Sequence, residues 1–233
     1  MKFSTSNIHL HALFILAFTF SAHSNAYSFD LNKLTSTQNL VKAGDKYITL
    51  LGDQVKVGDQ APPFKVVNEN FSPVRLKDFL GQTLLISVMP SLDTGICSIQ
   101  TKRFNEEVEK LPKNITILAI SNDLPFAQKR FCDIKKIEGV KVLSDSVWRE
   151  FGTRYGLLIK DMGLLTRAIF IIDDKGKIVY KELVANISQH PDYNKALAKV
   201  KYTAPVLVID ADADADADSE ANKALPSQAT GNN

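Results

Sequence analysis

The sequence predicts an α/β domain over residues 45–202, with a central sheet covered by helices. The first observation is a set of short apolar runs, each suited in length to a buried strand: Leu84–Met89, Ile115–Ser121, Ile169–Asp173 and Ile178–Val184. The second is a set of helical stretches that alternate with them, at residues 97–110, 124–136, 146–155 and 191–201. Strands that alternate with helices need crossover connections, and these place helices against the sheet.

The domain is expected to open with a β-hairpin. Tyr47–Leu51 and Gln54–Val57 are strand-like segments on either side of Gly52-Asp53, a pair that suits a tight turn. Ala61-Pro62-Pro63 then interrupts regular structure. The hairpin is therefore predicted to precede the central sheet.

Local signals support the helices and the last strand pair. In the first helix, Phe104, Val108 and Leu111 recur at helical spacing, which places them on one face. Pro125 stands where the first turn of a helix accepts proline. The turn Asp173–Gly176 separates the last two strands.

The N-terminal residues 1–26 are expected to be a secretory signal peptide. Lys2 supplies positive charge, Leu10–Phe20 is a short apolar run, and Ser24-Asn25-Ala26 offers the small residues of a cleavage site after Ala26. The apolar run is short for a membrane span, so no stable insertion is expected after cleavage. The mature chain is therefore predicted to be exported, to the periplasm, where two cysteines tend to pair.

The segments on either side of the domain are polar. Residues 27–44 are weakly patterned and are interpreted as a lead-in, whereas residues 203–233 contain an Asp-Ala repeat and are predicted to be a disordered acidic tail. Six of the 26 acidic residues lie in Asp210–Glu220, so the rest of the chain is moderately basic. The formal net charge of +2 gives no strong attraction to nucleic acid.

Few residues are available for metal or histidine chemistry. Three of the four histidines lie within residues 1–26, which leaves His190 in the domain, where a structural role is expected. The two cysteines, Cys97 and Cys132, have neither CxxC spacing nor a four-ligand metal pattern. On composition alone, a structural disulfide in an exported chain is the simplest interpretation of this pair.

The segment Met89–Cys97 indicates a reactive rather than a structural role for Cys97. It follows a predicted buried strand and opens a helix, and such turns lie at the edge of the sheet where ligands bind. Cys97 would stand in the first helical turn, where free backbone N–H groups and the helix dipole favour a thiolate. A thiolate at this position is a nucleophile.

Three separated motifs resemble the peroxiredoxin superfamily and, within it, the bacterial thiol peroxidases. Pro90, Thr94 and Cys97 fit the Pro-x-x-x-Thr/Ser-x-x-Cys signature, within the longer string PSLDTGICSIQTKRFN. Asp123–Cys132 (DLPFAQKRFC) and Leu164–Asp173 (LLTRAIFIID) resemble two further motifs of that subfamily, in the same order. The resemblance covers residues 45–201 and implies a thioredoxin-like fold: a central mixed sheet flanked by helices, with an N-terminal β-hairpin.

The resemblance also implies roles for the residues of these motifs. Cys97 would be the peroxidatic thiolate that attacks a hydroperoxide and becomes a sulfenic acid. Thr94 would offer its hydroxyl to thiolate and peroxide, and Arg167 would stabilise the thiolate and the leaving oxygen. Pro90 would shape the pocket and shield Cys97 from water.

The resemblance further implies an atypical two-cysteine cycle. Cys132 would attack the Cys97 sulfenic acid and form an intramolecular Cys97–Cys132 disulfide, after local unwinding of a helix. The expected partners are a hydroperoxide substrate, a thioredoxin-like reductant on the far side of the membrane and a second copy of the chain in a homodimer. No metal or organic cofactor is implied.

Two other functions stay open at the sequence level. An exported thiol–disulfide oxidoreductase would act on protein substrates, although the CxxC motif is missing. A non-enzymatic binding domain with a structural disulfide would lose stability on reduction. Disulfide exchange without peroxide favours the first, and an inert disulfide favours the second.

Overall fold

A mixed sheet of seven strands forms the centre of the fold, in a computed structural model that describes residues 30–205. The strands of the described residues are β1 (Ser36–Ala43), β2 (Lys46–Leu51), β3 (Lys65–Val67), β4 (Pro73–Arg75), β5 (Thr83–Val88), β6 (Ile115–Ser121), β7 (Lys141–Ser144), β8 (Leu158–Ile159), β9 (Ala168–Ile172) and β10 (Ile178–Leu183). The central sheet has the order β10-β9-β5-β6-β7-β3-β4. β5, β6 and β7 run parallel, whereas β9 pairs antiparallel with β5. The predicted α/β class with a central mixed sheet is confirmed.

Helices cover both faces of this sheet. The α helices of the described residues are α1 (Gly95–Asn105), α2 (Pro125–Lys135), α3 (Glu150–Arg154) and α4 (Tyr193–Thr203). Successive side chains of a strand point to opposite faces. In β5, Leu85 packs in one apolar cluster with residues of α1, α2 and α4, whereas Leu84 and Ile86 pack in another with Phe151 of α3. β5 is therefore buried on both faces, which explains its unbroken apolar run.

The predicted N-terminal hairpin is present, but its strands differ from those expected. β1 and β2 pair antiparallel on either side of Gly44-Asp45, and β8 extends them to a three-stranded sheet. β1 thus lies within residues 27–44, which were interpreted as a lead-in because they are weakly patterned. Its side chains are mostly polar and only one of them is buried. Gly52-Asp53 follows β2, and Gln54–Val57 does not form a strand.

Gly52 owes its place to a close approach rather than to a hairpin turn. It has φ +103°, a conformation that favours glycine, and a Cβ atom there would lie 1.9 Å from the carbonyl oxygen of Thr153. The glycine that suggested a turn thus lets the chain pass the end of α3.

The central elements agree well with the sequence, and the peripheral ones less so. β6 has the predicted bounds, β10 ends one residue earlier than predicted, and β5 and β9 are each shifted by one residue toward the N-terminus. The helix predicted at 97–110 stops at Asn105, and a 3-10 turn follows at Val108–Lys110. The stretch 146–155 holds only α3, because Arg149 has φ +55° and interrupts the helical path. β3, β4, β7 and β8 were not predicted.

The two chain ends lie outside the described residues, so the signal peptide at 1–26 and most of the acidic tail at 203–233 stay predictions. Between residues 30 and 205, no helix combines the length and apolarity needed to cross a bilayer.

Candidate active site

Cys97 lies at the carboxyl end of the central strand β5, in the first turn of α1. Met89 continues the pairing with β6 through its N–H, which donates to the carbonyl of Ile120 at 3.2 Å. Pro90 is buried directly after it, and α1 begins at Gly95. The Cys97 side chain is fully buried. The predicted strand–turn–helix setting of this cysteine is therefore present.

The start of α1 presents backbone donors near Cys97. Its first i to i−4 bond runs from the N–H of Ser98 to the carbonyl of Thr94, at 3.0 Å. The N–H groups of Gly95, Ile96 and Cys97 precede this bond, as in the first turn of any α helix. Their partial positive charge favours an anion beside Cys97.

Thr94 is exposed and serves as the N-cap residue by its backbone alone. Its φ and ψ of −91° and 147° are extended, and its side chain makes no capping hydrogen bond. The hydroxyl instead donates to the carbonyl of Ser91 at 3.2 Å. Thr94 thus gives α1 none of the stability that a capping side chain normally adds. Its hydroxyl lies on the exposed side of the loop, where it can turn to another acceptor.

Asp123 anchors the loop between β5 and α1, and sequence reasoning did not identify it. Its carboxylate accepts hydrogen bonds from the Ser91 hydroxyl at 2.7 Å and from the Leu92 N–H at 2.8 Å. The Ser121 hydroxyl also donates to it, at 2.7 Å. Asp123 follows β6, the parallel neighbour of β5, so both carboxyl ends meet at one sheet edge. An acid two residues after a buried strand was the available signal.

Arg167 reaches Cys97 from the other neighbour of β5. It immediately precedes β9 and is 1% exposed. Its Nη2 donates to the Sγ atom of Cys97 at 3.3 Å, and its Nη1 donates to Oε1 of Gln100. Nε and Nη2 both donate to the carbonyl of Ile187, at 3.2 and 2.9 Å.

The electrostatic consequence is a buried cation aimed at a buried sulfur. The partners of the Arg167 guanidinium given above are an amide, a carbonyl and the thiol, all neutral. A desolvated cation gains most from an opposite charge nearby, so this arrangement favours a thiolate on Cys97. Gln100 is itself fixed, since its Nε2 donates to the Ser87 hydroxyl at 2.7 Å.

Tyr193 closes the same region, although sequence reasoning gave it no role at the site. Its ring packs edge-on against Phe104, and its hydroxyl lies 2.6 Å from Nδ1 of His190. Burial raises the pKa of Tyr193 to about 12; Arg167 opposes this rise and Cys97 adds to it. His190 is exposed and contacts this tyrosine.

Cys132 lies apart, in α2, and its thiol is free like that of Cys97. The half-buried Cys132 borders an open cavity of about 580 Å³. Burial raises the pKa of its thiol to about 11, with smaller contributions from Glu69 and Asp133. The structure thus brings Cys97 and Arg167 into contact, with Pro90 and Thr94 in the adjoining loop, and leaves Cys132 on a separate helix.

A second cavity, of about 380 Å³, lies between the start of α1 and α2. Thr94, Gly95 and Ser98 line one side, and Phe131 and Ile134 are among the α2 residues on the other. The two cysteine-bearing helices are therefore not closely packed along this line. As to metals, residues 30–205 contain no group of three or more His, Cys, Asp or Glu side chains placed to hold an ion.

The thioredoxin-like architecture, with a buried thiol at the start of a helix and an arginine against it, defines a thiol-based redox domain. The Redoxin family model matches residues 56–197. Thiol peroxidases from Oceanobacillus iheyensis and Bacillus subtilis are 48% and 46% identical to the chain over 151 and 154 residues. These matches cover 65% and 66% of this chain and 92% of each relative.

Solved structures agree with this assignment. A peroxiredoxin-like protein from Aquifex aeolicus superposes with a TM-score of 0.67 at 38% identity, covering 71% of this chain and 98% of that one. A thiol peroxidase from Chromobacterium violaceum has a TM-score of 0.62 at 23% identity and supports the fold alone; it covers 70% of this chain and 95% of its own. The chain belongs to the redoxin family, as a peroxiredoxin-type oxidoreductase of the thiol peroxidase group.

Proposed function

We propose that this chain reduces hydroperoxides with Cys97 as the attacking thiolate and Cys132 as the resolving thiol. The single observation that carries the proposal is the buried contact of 3.3 Å between Arg167 Nη2 and Cys97 Sγ. It joins a fixed cation, a sulfur nucleophile and a helix N-terminus in one water-poor site. Such preorganised charge is the arrangement that stabilises an anionic nucleophile and a developing oxyanion.

In the first step, the Cys97 thiolate attacks one oxygen of the hydroperoxide and the O–O bond breaks. The peroxide proton moves from the attacked oxygen to the other oxygen, which leaves as water or an alcohol. The sulfur is left as a sulfenate, which takes a proton from solvent to become the sulfenic acid. Arg167 stabilises the thiolate before attack and the charge that moves onto the leaving oxygen. No histidine base is required, since the proton passes within the peroxide.

Thr94 and Pro90 act on the approach to the sulfur. The Thr94 hydroxyl can exchange its bond to the Ser91 carbonyl for one to the peroxide, because the loop itself is held by Asp123. Buried Pro90 fills the turn behind the loop and offers no N–H that water would have to satisfy. Together they admit the substrate and keep the thiolate desolvated.

In the second step, the Cys132 sulfur attacks the Cys97 sulfenic acid, a disulfide forms, and the sulfenic oxygen leaves as water. Bridged cysteines have Cα atoms about 4.4–6.8 Å apart, whereas these two lie on separate helices with free thiols. Local unwinding of α1 or α2 is therefore part of the proposal. The cavity between the two helices supports it, because loosely packed segments open at low cost.

A thioredoxin-like dithiol protein then reduces the disulfide. We also propose that the chain is exported, by way of the predicted signal peptide, and that its reductant is an exported thioredoxin-like protein. The homodimer expected from the resemblance is part of the same proposal. Native mass spectrometry of the periplasmic fraction checks export and oligomeric state together.

The decisive experiment follows intact mass and free thiols within seconds after one equivalent of hydroperoxide is added to the reduced protein. We expect the loss of two hydrogens and of both thiols, reversal by a dithiol, and no fast reaction in Cys97→Ser. Cys132→Ser should stop at the sulfenic acid. A reaction no faster than that of a free thiol would instead favour a binding domain with a structural disulfide. Disulfide exchange without peroxide would favour the oxidoreductase.

A further inference from the structure

The orientation of Arg167 depends on one backbone carbonyl. The Ile187 carbonyl accepts from both Nε and Nη2, and Nη2 is the nitrogen that reaches Cys97 Sγ. The other edge of the guanidinium is held by Gln100. Because the guanidinium is planar and rigid, fixing these two edges fixes the direction of the N–H aimed at the sulfur.

That carbonyl belongs to a segment that the N-terminal hairpin holds. The Lys42 N–H in β1 donates to the Ala185 carbonyl at 2.8 Å, and the Ile187 N–H donates to the Lys42 carbonyl at 2.9 Å. These two bonds make Lys42 and Asn186 a parallel bridge. The Asn186 side chain adds a third link, since its Nδ2 donates to the Gly44 carbonyl in the hairpin turn at 3.2 Å.

Packing reinforces the same link. Val41 of β1, Leu50 of β2 and Ile159 of β8 form a small apolar cluster under the hairpin, and Ile187 packs against it. The Ile187 residue is therefore held by its side chain as well as by its N–H. Its carbonyl accepts from Arg167.

We propose that the N-terminal hairpin is a positioning element of the peroxidase site, acting through Lys42, the backbone of residues 185–187 and Arg167 on Cys97. The inference rests on the proposed function of Cys97 and deepens it. The hairpin thereby controls the reactivity of the Cys97 sulfur without contacting it. Small displacements matter here because Arg167 is desolvated, and misplacing a charged group by about 1 Å can cost up to about a hundredfold in rate.

The geometry of β1 provides a matched pair of variants. In the register of the hairpin Lys42 is opposite Tyr47, and both Lys42 backbone groups bond to the 185–187 segment rather than to β2. Lys42→Pro removes the N–H that bonds to Ala185 and leaves the β1–β2 bonds in place. Lys42→Ala keeps that N–H. Both variants lose the contact of the Lys42 ammonium with the Tyr47 ring. They differ in the hydrogen bond to Ala185 and in the backbone restriction that a proline ring adds, which an extended strand accommodates best.

The readout is the reactivity of Cys97 in the full chain carrying Cys132→Ser. We expect Lys42→Pro to lower the rate constant with hydroperoxide by about tenfold relative to Lys42→Ala. The pH at which Cys97 becomes reactive toward an alkylating agent should also rise in Lys42→Pro. A purely structural role for the hairpin would lower thermal stability without moving that pH profile. Equal rates and equal profiles in the two variants would overturn the proposal.

Asn186→Ala is a second test of the proposal in case the proline variant does not fold, since it removes only the side-chain link to Gly44. We expect Asn186→Ala to lower the rate constant with hydroperoxide by about threefold and to shift the alkylation profile in the same direction as Lys42→Pro. If Lys42→Pro does not fold, an unchanged alkylation profile in Asn186→Ala overturns the proposal. Alkylation needs no peroxide, so a wild-type protein without peroxidase activity would refute the proposed function while this test of positioning still stands.

Discussion

Replacing Arg167 by glutamine should slow the reaction of Cys97 with hydroperoxide by about two orders of magnitude. The side chain is 1% exposed and its Nη2 lies 3.3 Å from the sulfur. Two unit charges at this separation attract each other by roughly 5 kcal/mol at an effective dielectric constant of about 20. Part of this attraction offsets the cost of burying the cation. Removing one donor from a preorganised site costs about 3–4 kcal/mol, which corresponds to a hundredfold or more in rate.

The assay is stopped-flow reduction of hydroperoxide by the reduced protein, with the single-turnover rate constant as the measured quantity. Arg154→Gln is the matched control, since Arg154 contributes to an exposed ion pair with Glu150 in α3, away from the site. Arg167→Lys should fall between wild type and Arg167→Gln, because an ammonium keeps the charge but cannot hold Gln100, Ile187 and Cys97 in one plane. A rate for Arg167→Gln within about threefold of wild type would refute the electrostatic argument.

Three further predictions concern the loop, the resolving thiol and the core. Asp123→Asn should lower the free energy of unfolding by about 1–3 kcal/mol and slow peroxide reduction, because the NH₂ group of the new asparagine would face a hydrogen-bond donor. Urea unfolding checks the stability, and the peroxide assay checks the rate. Disulfide formation from the sulfenic acid should accelerate as pH rises toward about 11, the pKa of Cys132, and stopped-flow thiol detection would show a flat profile if another group limits the step. Burial raises the pKa of Asp145 to about 7 from its usual value of 3.8. Its contribution to stability is therefore present below pH 3.8 and lost as pH rises through about 7, so the free energy of unfolding of wild type relative to Asp145→Asn should fall across this range.

The central elements of the fold could be predicted because their signals are local. β5 and β6 are buried on both faces, so their sequences are unbroken apolar runs between polar residues. α2 begins at a proline suited to a first turn. β1 could not be predicted in this way, because an edge strand with exposed side chains has no apolar alternation. β3 and β4 have three residues each, too few to establish a pattern.

The residues of the candidate site also divide into those with a local sequence signal and those without one. Cys97, Thr94 and Pro90 lie within eight residues of each other, so their arrangement follows from one strand–turn–helix unit. Asp123, Ile187 and Tyr193 were not identified as site residues, because each acquires its role from a contact across the sheet edge. Gln100 was expected only to flank the site, and its contact with Arg167 is a finding of the structure. The hairpin's link to Arg167 is more distant still, since it runs from residue 42 through residue 187.

By itself, the amino-acid sequence determined the α/β class, the strand that carries the nucleophile and the placement of Cys97 in the first turn of a helix. These follow from apolar periodicity and helix geometry, which act over a few neighbouring residues. The resemblance implied a role for Arg167, but only the tertiary structure showed its guanidinium 3.3 Å from the Cys97 sulfur, 70 residues away in the chain, and held by Gln100 and Ile187. The physical reason is that a buried charge takes the partners that chain packing brings to it, and no local pattern encodes that encounter.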